Sequence, residues 1–387
     1  MLSSCENTKR LFARGPAERV GLHDGPWGRT IRKWVTQGYP TRKVKKTVKE
    51  KAVEDGVEVE REVEKQVDQP VPAREHFGFD MAGCGGWFDM LPLKGHSEVL
   101  EETDEWRVTR NGAGAALKYW KDKDGTPEHI DFLMTSREVW ERDYRPHLLD
   151  VDRERVNIEG AKKALEANRE KGFWTHFGHL FIWENMRRSL GDICMYESLL
   201  TDPEWIHDYN RVHTDFFIAH FRLILEEAGL PDGIWLYEDL GFKERLFASP
   251  KVLGDLIFPY YKEVVDFFHG YGLPVVFHTC GYTMDALPLI IEAGFDGLNP
   301  MEVAAGNDTF ALAEQYGDQL VFVGGFDKRI IESHDMPLIR RETADFVEGM
   351  KARGARCLFG SDHSISTNTD YDDFRTMVEV YREHMMY

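Results

Sequence analysis

At 387 residues, 42% hydrophobic and 30% charged, the chain can bury one large core or two smaller ones. Its formal charge of -19 excludes the basic face that nucleic-acid binding requires. It has no apolar run of membrane-spanning length and no apolar leader after Met1, and its five cysteines are scattered, so a cytoplasmic protein without disulfides is expected.

Glu6 to Arg14 reads as a short helix, and Arg19-Val-Gly-Leu-His23 as a first strand that breaks at Asp24-Gly-Pro26. Residues 41–69 alternate valines with charges around Glu54-Asp-Gly56, the pattern of an exposed charged hairpin within a 41–72 arm. A solvated helix is the alternative, and Asp55-Gly56 with so many valines weighs against it. A dimer contact is one use for such an arm. His76 to Leu93 holds a second strand region with a glycine-rich mouth whose spacing is not a phosphate cradle. Glu105 to Trp120, turning at Asn111-Gly112, predicts an antiparallel hairpin within a 94–133 insertion, with a further turn at Asp124-Gly125.

From Gly172 onward strands and helices alternate. Strands are predicted at 173–182, 233–239, 274–280, 295–299, 320–324 and 356–360, with helices between them and a last helix over Tyr371 to His384. With the two N-terminal strands this makes eight units. A single (β/α)8 barrel over residues 1–387 is therefore expected, and an open doubly wound sheet is the alternative.

In such a barrel the active site lies at the carboxyl ends of the strands. Those ends carry His23 and Asp24, Asp80 or Asp89, His176 and His179, Glu238 and Asp239, His278 and Cys280, Glu302, Asp327, and Asp362 with His363. Helix capping is the plainer job for Asp327 and Asp308, and Cys357 reads as a core residue. Strand alternation puts His278 and Cys280 on one face, where imidazole and thiolate can grip one borderline-soft metal such as zinc. A buried thiol beside a hydrogen-bonded histidine is the plainer alternative.

Several motifs from about Phe173 onward resemble the uroporphyrinogen decarboxylase superfamily, which includes zinc-dependent methyltransferases serving corrinoid proteins. They are Tyr237-Glu-Asp-Leu240, Ser249-Pro250, Pro259-Tyr260, His278-Thr-Cys-Gly281, Glu292-Ala-Gly-Phe-Asp-Gly-Leu-Asn-Pro300, Tyr316-Gly317, Gly324-Gly-Phe-Asp327 and Phe359-Gly-Ser-Asp-His-Ser-Ile365. In the methyltransferases the zinc ligands are a His-x-Cys pair and a further Cys after the last strand. The resemblance implies His278 and Cys280 as ligands here, with His363, or Asp362 beside it, where the third cysteine would stand. It further implies Glu238, Asp239 and Glu302 as catalytic candidates, with Glu238 or Asp239 also a candidate fourth ligand. His23, Arg29, Asp89 and His176 are then the candidates for substrate binding. The decarboxylases hold their substrate with arginines in an Arg-x-x-x-Arg-Tyr setting, and Arg29 and Arg32 have the wrong spacing for it.

The expected function is methyl transfer between a small ether or thiol, O-demethylation included, and the corrinoid of a separate protein, since no cobalamin-binding motif is visible. A metal-free lyase acting on a carboxylate and a non-catalytic tetrapyrrole or protein binder are the alternatives.

Overall fold

The apolar runs bounded by glycine and proline become eight short parallel strands: β1 (Gly21–Leu22), β2 (Met81–Gly83), β3 (Trp174–Leu180), β4 (Gly233–Tyr237), β5 (Val275–Thr279), β6 (Gly297–Pro300), β7 (Val321–Val323) and β8 (Cys357–Phe359). The computed structural model describes residues 1–54, 57–123 and 125–387. The strands form one sheet in the order β1-β8-β7-β6-β5-β4-β3-β2. Its two ends meet where the Asp80 N–H donates to the Leu22 carbonyl (2.7 Å) and the Leu22 N–H to the Asp80 carboxylate (2.7 Å). The sheet is thus nearly closed into a barrel wrapped by helices, which removes the open-sheet alternative.

Alternation along the strands divides the core. Trp174, Trp235, Val276, Val323 and Leu358 pack together inside the barrel with Met81 and Leu11. The helix Ser4–Phe12 contributes to this inner packing, its Phe12 stacking on Trp174 at 5.1 Å. Gly233 makes room for the Trp174 ring, because a Cβ there would meet the indole at 2.3 Å. The intervening residues, among them Phe177, Leu236 and Phe277, join a larger core that includes Phe217, Phe221 and Phe268 of the helices Pro203–Ala228 and Phe258–His269. Cys357 is buried in that layer as expected. Asp308 and Asp327 are helix N-caps.

The insertions are more elaborate than predicted. Thr41–Glu54 pairs antiparallel with Val57–Pro70 in a long hairpin, so the solvated-helix alternative is overturned. Its expected turn at Asp55-Gly56 lies outside the described residues, as does Asp124 of the second turn. The hairpin predicted over 105–120 forms the middle of a four-stranded sheet, flanked by Ser97–Glu102 and Glu128–Phe132. The segment after Ser249-Pro250 folds as two helices meeting at Ile257. Among the described residues no helix is long and apolar enough to cross a membrane.

Candidate active site

The carboxyl ends of β1, β4, β5, β6 and the loop after β8 enclose a cavity of about 190 Å³. Its walls are His23, Asp24, Trp235, Tyr237, His278, Cys280, Asn299, Pro300, Ser361, His363 and Ser364, with Gly25. Larger cavities of 780 Å³ beside Phe132 and 380 Å³ beside Phe346 contain none of the expected metal-ligating, catalytic or substrate-binding residues, although the helix-capping Asp327 borders the second.

His278 and Cys280 project from the end of β5 as the alternation predicted, with Cys280 Sγ 3.4 Å from His278 Nε2. His278 Nδ1 lies 2.5 Å from Asn299 Oδ1, an acceptor, so Nδ1 carries the proton and Nε2 is left with its lone pair. Asn299 is itself oriented by donating from Nδ2 to the Val323 carbonyl (2.8 Å). Asp239 accepts the Cys280 N–H at 2.9 Å and stands 3.7 Å from His278 Nε2. Donor atoms of Asp239, His278 and Cys280 all lie within 4.8 Å of one another.

This donor set fits a dication. Burial, and after it the carboxylates of Asp239 and Glu302, push the Cys280 thiol well above its ordinary value. Burial lowers His278, so the imidazole is neutral. A thiol among carboxylates, with no Lys or Arg lining the cavity among the described residues, ionises only if a cation joins it. Sulfur, imidazole nitrogen and carboxylate oxygen together suit zinc.

The other predicted residues separate into three groups. His363 lines the same cavity but stands outside the tight three-donor set. Asp362 is fully buried and engaged, one oxygen accepting the Val303 N–H (2.8 Å) and the other the Lys328 N–H (2.9 Å). Glu302 accepts the Gly281 N–H (3.0 Å) and so fixes the loop that follows Cys280. His23 lines the cavity, and His176 packs against the Trp235 ring at 5.2 Å.

Glu238 is a correction. Alternation puts Tyr237 in the cavity wall and turns Glu238 outward, where it is wholly buried and accepts the N–H groups of Phe181 (2.6 Å) and Trp183 (2.7 Å) and the Tyr261 hydroxyl. It caps the start of the helix Ile182–Leu190 and does not reach the cavity. Asp89 likewise closes a turn, accepting from Leu91 N–H and Gly95 N–H. Arg29 reaches the inserted sheet, bonding the carbonyls of Lys121 and Asp122. Asp80 lies at the amino end of β2, away from the mouth, paired with Arg19 (2.5 Å). His179 is held at the Phe88 backbone by Nε2.

Sequence reasoning missed Trp235, Tyr237 and Asn299. Period-two counting back from the end of β4 would have found the first two. Nothing local marks Asn299, whose value lies in a contact across strands.

No curated protein matches the chain. A solved methyltransferase from Methanosarcina mazei superposes with a TM-score of 0.65 over 99% of both chains at 14% identity, which establishes the shared fold. An L-ribulose 3-epimerase (TM-score 0.32, 10% identity, 60% of this chain and 75% of the other) is too partial a likeness to inform the site. The same holds for a 3-keto-D-glucoside 4-epimerase from E. coli (0.32, 12%, 59% and 83%). Residues 195–384, which hold β4 to β8 with Asp239, His278, Cys280 and His363, match the family model described as uroporphyrinogen decarboxylase (URO-D). The carboxyl-terminal part of this barrel of eight parallel strands is thus similar to the uroporphyrinogen decarboxylase family.

Proposed function

We propose that the chain is a zinc-dependent methyltransferase that moves a methyl group between a small ether- or thiol-type substrate and the corrinoid of a separate protein. The observation that carries this reading is the convergence of His278 Nε2, Cys280 Sγ and the Asp239 carboxylate beside a small cavity at the barrel mouth. These three would hold the metal, Asp239 taking the place that the resemblance gave to His363. When bound, zinc supplies Lewis acidity toward a substrate oxygen or sulfur. Asn299 holds His278 in the ligating tautomer, and Asp239 and Glu302 hold the Cys280-Gly281 backbone in place. His363 faces the cavity from the loop after β8 and is the candidate to exchange a proton with the substrate heteroatom. In the ether direction the methyl C–O bond would break with its electron pair left on oxygen, oxygen would take a proton, and the methyl carbon would be taken up by the electron pair of a reduced corrinoid cobalt on the partner protein.

The lyase alternative has less support. A cavity of 190 Å³ is little larger than the cavity of about 150 Å³ that holds a single benzene. Among the described residues no Arg or Lys lines it to receive the carboxylates of a tetrapyrrole. Elemental analysis of protein purified without chelators or affinity-tag metal tests the proposal, with about one zinc per chain expected. Protein that is metal-free and also refuses added zinc would overturn it.

A further inference from the structure

We propose that the arm formed by Thr41–Glu54 and Val57–Pro70 docks on a second copy of this chain, its valine-and-lysine face lying in the groove between the strand Glu128–Phe132 and the helix Asp192–Thr201. A reciprocal exchange of arms closes the pair about a two-fold axis. The inference does not depend on the methyl-transfer reading. Strand register sorts the arm's side chains between two unlike faces. On one, Lys43 stands opposite Asp68 and Lys49 opposite Glu62, and Lys45 pairs with Glu64 at 3.8 Å, an ionic ladder suited to water. On the other, the half-buried pairs Val44–Val67 and Val48–Val63 flank Lys46 and Lys65, which stand directly opposite each other, with Arg61 beyond. No described residue of that second face is a carboxylate. A two-stranded ribbon is marginal in water by itself and gains stability from a surface that covers its apolar face. Lysines directly opposite each other favour a covering surface that brings carboxylates. Residues 41–70 contain eight Lys and Arg against eight Asp and Glu, so the rest of the chain carries the whole formal charge of -19. Another copy is therefore an acidic partner for this face.

The 780 Å³ groove beside Phe132 offers the complement. Ile130 and Ile193 stand in its walls, 52% and 78% exposed, and Leu200, 74% exposed, lies seven residues on from Ile193 along the same stripe of the helix. Aliphatic side chains this open, gathered along one groove, suit the arm's valines. Asp131, Asp192 and Glu197 line the same groove. Arg110 bonds one oxygen of Asp131 (3.3 Å) and Arg187 one oxygen of Asp192 (3.0 Å), which leaves the second oxygen of each for an incoming ammonium. Arg137, the lysine or arginine in the wall among the described residues, is already paired with Asp202 (3.5 Å).

Sedimentation velocity of the full-length protein at micromolar concentration is expected to show a dimer. Lys46→Glu with Lys65→Glu on the arm, and Asp131→Lys with Glu197→Lys in the groove, should each weaken self-association about tenfold or more. An equimolar mixture of the two double variants should associate again. One contact then joins a reversed arm to a reversed groove, and the other joins the unchanged arm to the unchanged groove. Replacing residues 41–70 by two glycines links ends that already meet, the Val71 N–H donating to the Pro40 carbonyl (3.0 Å), and should give a monomer. A monomeric wild-type protein, or an armless protein that still dimerises, would overturn the proposal, and both results stand even if a charge-reversed variant fails to fold. Folded double variants that associate as tightly as the wild type, or whose mixture stays dissociated, would overturn it too.

Discussion

His278 Nδ1 and Asn299 Oδ1 lie 2.5 Å apart, and this contact between neighbouring strands selects the imidazole nitrogen that faces Cys280. Such partners fix a ligand's tautomer and orientation and commonly contribute 10–100-fold in metal affinity. Asn299→Leu should therefore weaken zinc binding by about 10–100-fold, and competition with a chromophoric chelator measures the change. Unchanged affinity would mean that His278 is not held for a metal.

Asp239 and His363 make different predictions for the third ligand. Asp239→Ala should lose most of the zinc, whereas His363→Ala should keep it and lose methyl transfer. Asp362→Asn should also retain metal, because both Asp362 oxygens already accept backbone N–H groups. Metal analysis of the three variants decides the matter, and greater loss in His363→Ala would move the ligand to the loop after β8.

Cys280→Ala should abolish zinc binding and leave the fold intact, because the barrel core is built from large apolar side chains that pack without a metal. Circular dichroism together with metal content reads both effects. An unfolded Cys280→Ala protein would make the metal structural.

Glu238 predicts a pH dependence of stability. Burial pushes its carboxyl up to about 8 from 4.5, against the hydrogen bonds from Tyr261, Phe181 and Trp183 that favour the ionised form. The folded chain then keeps a proton that the unfolded chain releases. Its stabilising contribution is complete below pH 4.5 and is lost as the pH rises through about 8. Urea midpoints at pH 5 and pH 8.5 should fall more for the wild type than for Glu238→Gln, whose amide does not titrate. Glu238→Ala should cost about 2–5 kcal/mol, since it strands two buried N–H groups and a hydroxyl, without changing zinc content.

Asp80 pairs with Arg19 through both oxygens (2.5 and 2.7 Å) at the seam between β1 and β2. Asp80→Ala leaves that guanidinium buried without its carboxylate and should destabilise the fold by about 3–5 kcal/mol in urea titration. A loss below 1 kcal/mol would show that the seam is held by packing alone.

The alternation of β-branched strands with helices, a local pattern, was enough to give the barrel from sequence. The His278/Cys280 pair was legible for a similar reason, since residues two apart on a strand share a face. The same rule, applied to Tyr237 and Glu238, would have turned Glu238 away from the cavity. Chain order is a poorer guide to strand ends: of Asp80 and Asp89, the two candidates for the end of the second strand, Asp80 in fact precedes it. What the tertiary structure alone decided are relations between strands far apart in sequence. Asn299 meets His278, Asp239 meets Cys280, and Ser361 closes on Asp24 across 337 positions. Each depends on strand register and on which groups closure buries, and neither quantity is written in any local run of residues.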